Sequence, residues 1–315
     1  MWRTAASGIV LACAWTVWPM WRACPERGTS QPASAPASAP ASAPAARPAV
    51  QLAPGVRIDW TRRELRVDAH VVQRAVALEF FACFNGKEHE SILRLDATAA
   101  HIYMGLGLLG LAPGHPPADD PNTERTLPAT GDLVDLDVEW GEGAELRRTN
   151  AFAWLRDTEH KQSVPPRAWV FAGSEIRSDR TLSSDVSGVG LAVVDFPDSL
   201  LCLSRPHSSS NAELWVEANT PAIPATGTRV TLILRAAVPR DRVVRLDVRG
   251  RLTVDGCACG AEELADLLLL ERRLRPAYVQ MIEIEGGALR ADVRAIREQL
   301  AAAGLTDAVR WHPDN

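Results

Sequence analysis

The chain has almost no lysine. Of its 34 basic residues only Lys87 and Lys161 are lysines, and 39 acidic residues leave a net charge of −5 over 315 positions. That balance excludes the basic surplus on which nucleic-acid binding draws. No apolar run reaches the roughly 20 residues that a membrane-spanning helix prefers. The six cysteines, Cys13, Cys24, Cys83, Cys202, Cys257 and Cys259, do not show the spacing of a disulfide framework. Serine-nucleophile motifs, Walker loops and dinucleotide fingerprints are missing too. Nothing in the sequence requires a cofactor. The excess of arginine over lysine, with abundant alanine and proline, is the mark of a GC-rich genome. Against that background Lys87 stands out.

The first residues read as a targeting segment, residues 1–28. Arg3 supplies a positive start, and Ala5 to Trp18 is apolar apart from Ser7 and Thr16. Trp15, Trp18 and Trp21 sit where an interfacial aromatic belt would lie. A cleaved signal peptide, a lipoprotein signal with Cys24 as acceptor and an uncleaved anchor all compete here. The expectation is export with a retained membrane anchor over residues 5–21, and cleavage is the alternative. Residues 29–53 form a linker, with a Pro-Ala-Ser-Ala unit repeated between Pro32 and Pro44. Such a segment is a semi-rigid spacer that would hold a folded body away from a membrane. The expected location is the cell envelope, with an inner-membrane anchor and the folded domains on the periplasmic side. If the signal is cleaved, the protein is secreted.

The folded part reads as α+β in two domains, 54–239 and 241–315. In the first, alternation over Val56–Trp60 and Leu65–Val71 around Thr61-Arg62-Arg63 predicts a hairpin. Further strands are predicted at Val76–Phe84, Ser91–Leu95, Val134–Trp140, Trp169–Ser174, Gly190–Asp195 and Thr228–Ala236. Thr98–Leu109 is apolar on all sides and predicts a fully buried helix. The second domain opens with Val244, Leu246 and Val248, turns at Gly250, and returns through Leu252 and Val254. Helices follow at Ala261–Leu274 and Ala288–Ala303, with strands at Tyr278–Ile284 and Thr306–Trp311. The order β-β-α-β-α-β predicts a small two-layer α/β sandwich.

From Val244 onward the residues resemble the periplasmic domain of the ExbD/TolR biopolymer-transport family. The carriers are the strand–Gly–strand opening, Val254-Asp255-Gly256, Glu262-Glu263-Leu264, and Leu300-Ala-Ala-Ala-Gly304-Leu305 before the final strand. That resemblance implies a homodimer through 241–315 and partners among envelope proteins. The family's anchor carries a membrane-embedded aspartate, whereas no Asp or Glu occurs here between Met1 and Ala23. The proton-motor role is therefore not implied. The first domain resembles the YdjY family of exported proteins. There the carriers are Gly86-Lys87-Glu88-His89-Glu90-Ser91, the helix from His101 to Gly110 with Pro113-Gly114, Trp169-Val-Phe-Ala-Gly173-Ser174, and Pro224 with Gly227 to Leu232. This family implies no reaction.

Lys87, Glu88, His89 and Glu90, with His101 on the helix, form the candidate functional cluster. On a strand, Lys87 and His89 would face one side and Glu88 and Glu90 the other. His89, His101 and Glu90 are the candidate metal ligands, and Lys87 could bind an anion. The competing reading is a structural polar network in which His101 anchors the helix and Lys87 pairs with a carboxylate. Cys257 and Cys259 could make a redox or metal pair, but two thiols without further ligands favour a plain hairpin end. The preferred function is a non-catalytic binding or scaffold role in the cell envelope. The alternative is a metal-dependent or acid–base enzyme built on the Lys87–Glu90 cluster with His101.

Overall fold

The computed structural model describes residues 49–312, except 124, 125, 160 and 211. The expected anchor and most of the linker lie outside the described residues. Among the described residues no helix is long and apolar enough to cross a membrane.

The chain enters through β1 (Val50–Ala53), which pairs antiparallel with β2 (Val56–Asp59). The linker therefore ends earlier than its composition suggests. Val50 pairs with Ile58, and Leu52 packs on the core. The predicted hairpin forms between β2 and β3 (Glu64–Val71). β4 (Phe80–Cys83) and β5 (Ser91–Leu95) follow, then α1 (Ala99–Leu108). The stretch expected as one long loop contains a small ribbon of β6 (Ala118–Asp119) and β7 (Thr126–Leu127). β8 (Leu133–Trp140) and β9 (Arg147–Asn150) come next, then β10 (Leu155–Asp157) and β11 (Trp169–Val170). The short α2 (Ser183–Ser187) precedes β12 (Leu191–Ala192), β13 (Val216–Ala218) and β14 (Arg229–Ala236). Ten of these strands make one sheet whose central path runs β11-β8-β14-β3-β5-β4-β12.

The sheet has two different faces because side chains alternate along each strand. Leu65, Val67 and Ala69 of β3, Val134, Leu136 and Val138 of β8, and Val230, Leu232 and Leu234 of β14 point into the main core. α1 lies on that core. Ala99, Ile102, Gly105 and Leu106 are buried, while Met104 and Leu108 are about half exposed, at 49% and 53%. The helix is thus not buried all round, because only one of its faces meets the sheet. Gly105 is required there: a Cβ would run into the side chain of Leu65, which is fully buried. Arg63, at the tip of the hairpin with φ +53°, donates from Nη2 to the Leu109 carbonyl at 2.7 Å, so one open carbonyl at the helix end is satisfied.

The opposite face carries charge. Arg66 bonds Glu139 and lies 3.5 Å from Glu64. Arg148 reaches Glu64 at 3.0 Å and Asp137 at 2.9 Å, and Arg235 reaches Asp137 at 2.8 Å. Arg240 closes the lattice on Asp135. Alternation alone would send Asp135 to solvent, yet its side chain is 1% exposed because Arg235 and Arg240 cover it.

The last quarter forms a second sheet: β15 (Val244–Leu246), β16 (Leu252–Val254), β17 (Cys257–Ala258), β18 (Gln280–Ile284) and β19 (Val309–His312), in the order β17-β16-β15-β18-β19. α3 (Ala261–Leu274) and α4 (Arg290–Ala302) pack on it. The helix and strand order expected from the pattern is present, with the two-residue β17 added at one edge. Leu264, Leu267 and Leu268 face this sheet's own core. The other side of α3 faces the large sheet: Leu270 and Leu274 join Phe80, Val170 and Cys202 in a third apolar cluster. Residues 46–315 accordingly group as one compact unit.

Candidate functional site

The conspicuous motif folds onto itself. Glu88–Glu90 is a single 3₁₀ turn rather than a strand, so Lys87 and Glu90 share a side instead of facing opposite ways. Lys87 Nζ lies 3.7 Å from Glu90 Oε2, and His89 Nε2 lies 2.9 Å from Glu90 Oε1. Glu88 accepts from the amide of Gly86 at 2.9 Å. Ser91 Oγ donates to the Lys87 carbonyl at 2.8 Å, which closes the turn. Lys87 also sits over the Phe80 ring, 5.7 Å from its centroid.

A residue outside the motif completes it. Glu79, at the entrance to β4, is buried, and its carboxyl is hydrogen-bonded to that of Glu90. Burial first, then the hydrogen bond and charge of Glu90, push the Glu79 carboxyl up to about 7. Glu90 Oε2 is itself buried and lacks a hydrogen-bond donor when both groups are ionised. A proton on Glu79 supplies one. Glu79 therefore holds its proton up to near neutral pH. Sequence reading missed Glu79 because it lies eight positions before Lys87, in an apolar run.

His101 has different partners. Its Nδ1 lies 2.9 Å from Thr98 Oγ1, and its amide donates to the same oxygen at 3.3 Å. Thr98 is the N-cap of α1, and Asp185 of α2 accepts from the amides of Ala99 and Ala100 at 2.6 and 3.2 Å. His101 thus belongs to the start of the helix. Among the described residues, no group of three or more His, Cys, Asp or Glu side chains is arranged to hold a metal ion. Cys257 and Cys259 are free thiols at the β17 edge, and burial pushes both up. Cys83 and Cys202 are free and buried.

A hollow lies elsewhere. A cleft of about 750 Å³ opens beside the second sheet, lined on one side by residues including Arg167, His207 and Trp215. On the other side it is lined by Leu252, Cys259–Ala261 and Asp292 among others. Arg167 organises this wall. Its side chain is 1% exposed and bonds Glu263 and Asp266 of α3. Its guanidinium lies over the rings of Phe152 and Trp215, at 5.7 and 5.8 Å. His207 stacks on Trp215 with centroids 4.1 Å apart and an interplanar angle of 8°. Burial, aided by the charges of Arg167 and Arg205, pushes His207 down to about 3, so it is neutral at physiological pH. Next along the seam, Arg242, also 1% exposed, bonds Glu271, Asp255 and the Pro166 carbonyl. These groups are spread over a hundred positions and carry no local motif.

The YdjY domain family matches residues 56–235, more than half of the chain. The chain belongs to the YdjY family. The YdjY domain thus spans β2 to β14, the whole charged lattice except Arg240, and the Gly86–Ser91 motif. Residues 241–315 lie beyond it. No curated protein and no solved structure matches this YdjY-family chain.

Proposed function

We propose that this protein is an envelope-tethered binding protein without catalytic activity of its own. The observation that carries the reading is the cleft beside the second sheet. It has the size of a small-ligand site, and its walls come from both sequence domains. The apolar segment over residues 5–21 and the Pro/Ala/Ser spacer supply the tether, with the folded body on the periplasmic side. Secretion follows if the segment is cleaved. The resemblance of residues 241–315 to the ExbD/TolR domain belongs to the same reading. It is supported by the strand and helix order and points to partners in biopolymer-transport assemblies and to self-association through 241–315. Fractionation of cells expressing the full chain tests the tether. Recovery in the membrane or periplasmic fraction is expected, and full-length protein in the soluble cytoplasm overturns it. Sedimentation of the full chain tests self-association.

One observation favours a second reading, an acid–base enzyme at the conspicuous motif. Glu79, beside Glu90, holds a proton in the pH range where general acid–base groups work. That reading requires a substrate to reach Glu90 between Lys87 and His89. A Glu90→Gln variant that leaves every ligand-dependent property of the protein unchanged would remove it.

A further inference from the structure

The outer face of α1 is apolar and open to water, and the following rests on the envelope tether just proposed. Over Ala99–Leu108 the helix carries no Asp, Glu, Lys or Arg. Its inner side is engaged with the core through Ile102 and Leu106. Its outer side repeats at helical spacing as Ala100, Met104 and Leu108, and the last two are exposed. An exposed helix face ordinarily carries charged or polar residues. Near the helix start stands a further open aliphatic: Asp185 holds the amides of Ala99 and Ala100, and its neighbour Val186 is 64% exposed. Single exposed aliphatics are ordinary, whereas a row of them along an uncharged helix marks an interaction surface.

The chain enters the fold at the far end of this helix. β1 lies near α1 and runs antiparallel to β2, so Val50, itself half exposed, lies toward the tip of the β2–β3 hairpin. That tip holds Arg63 against the carbonyl of Leu109, the residue after α1. A tether on residues 5–21 therefore reaches the fold at this edge. The tip also has the residue types of a membrane interface. Trp60 is half-buried, and Arg62 and Arg63 are exposed. Arg62 pairs with Asp59, but Arg63 gives its guanidinium to a carbonyl, which carries no full charge. Such side chains lay their stems on apolar surface and their heads among phosphates. The Pro/Ala/Ser spacer permits contact, because it sets the longest distance from a bilayer and not the shortest. Residues 29–46 carry no charge.

We propose that the folded body rests on a lipid bilayer through α1, with Met104 and Leu108 at the boundary of headgroups and acyl chains and the hairpin tip, Trp60 to Arg63, among the phosphates. A protein partner would find no carboxylate, lysine or arginine on this helix to fix its register. A bilayer needs only apolar area beside cations.

The full-length chain, reconstituted into vesicles of phosphatidylcholine and phosphatidylglycerol with a diazirine on one acyl chain, tests this by irradiation and mass mapping of the adducts. Adducts are expected on residues 5–21 and on α1. On α1 they should be at least about tenfold more frequent than on Leu269 and Leu289, exposed aliphatics of the last quarter. Met104→Glu combined with Leu108→Glu changes only exposed positions, so the fold should tolerate it. It should cut the α1 adducts about tenfold and leave those on residues 5–21 unchanged. Adducts confined to residues 5–21 overturn the α1 contact and keep the tether. Adducts on α1 but not on residues 5–21 keep the contact and overturn the tether. A chain that stays off the vesicles overturns both. Equal labelling of α1, Leu269 and Leu289 overturns the contact, as does a double variant labelled like the parent. If the parent sediments in detergent as a dimer and the double variant as a monomer, the face belongs to a second copy and the proposal falls.

Discussion

The Gly86–Ser91 turn and the seam around Arg167 are built on opposite plans. The turn draws its partners from within a few residues: Gly86 serves Glu88, Lys87 and His89 serve Glu90, and Ser91 ties back to Lys87. Most of its charges touch water. The seam draws its partners from far along the chain and buries them. Arg167 reaches 96 and 99 positions ahead to Glu263 and Asp266, and Arg242 meets Glu271 where both are almost wholly covered. A dense local motif can satisfy most of its own groups and still look like a site. A buried long-range ion pair leaves no trace in local composition, yet removing one partner strands the other in a medium that solvates it poorly.

The largest effect is expected in the seam. Arg167→Ala leaves Glu263 and Asp266 without their buried counter-charge and opens a gap between Phe152 and Trp215. A loss of about 3–5 kcal/mol is expected in denaturant unfolding at pH 7. A loss under about 1 kcal/mol would put the seam on a par with a surface pair. Replacing Glu79 probes the buried corner of the motif. In the fold Glu79 holds its proton to about 7, whereas the unfolded chain releases it near 4.5. Between those values the unfolded state binds fewer protons, so stability falls as pH rises through this window. Glu79→Gln should remove that fall and leave the variant more stable than the parent at pH 8 by roughly 1–3 kcal/mol, with the two converging near pH 4. Melts at both pH values decide it.

His207 tests the seam with the opposite sign. It stays neutral in the fold down to about 3, while the unfolded chain protonates it below 6.5. The parent should therefore lose stability as pH falls below 6.5, and His207→Phe should flatten that limb by roughly 1–2 kcal/mol at pH 5. The smallest change is expected at the conspicuous residue itself. Lys87 pairs with Glu90 at 3.7 Å in a partly wet setting, so Lys87→Ala should cost under about 1 kcal/mol. A cost as large as that of Arg167→Ala would erase the distinction between the two regions.

Much of the fold was legible in the sequence, for physical reasons that can be named. The β2–β3 hairpin, β5 and α3 follow from side-chain periodicity, and their boundaries fall where turn residues interrupt it. α4 follows from its stripe of Val293, Ile296 and Leu300. Three features were hidden. The turn over residues 88–90 was hidden, because the facing of side chains over three positions differs between a strand and a tight turn while the residue types are the same. α1 read as fully buried because Met104 and Leu108 are apolar yet exposed. The second working face of α3 was hidden, because Glu263, Asp266 and Glu271 take their partners Arg167 and Arg242 from far along the chain. The candidate cluster was legible as a polar network but not in its chemistry. Glu79, which sets the proton balance, carries no signal in a run of hydrophobic neighbours.

The stack of Phe152, Arg167, Trp215 and His207 also bears on how the chain acquires its structure. Its members come from three separate stretches, His207 and Trp215 sharing one, and the guanidinium at its centre is anchored by a fourth, the start of α3. No one stretch can settle into its final place before the others arrive. Closing loops of this length is entropically expensive and slow, so the YdjY domain and the segment after it should gain order together, late, in one cooperative step. For a chain that emerges amino-terminus first, Arg167 would then wait for the last quarter before its charge is neutralised.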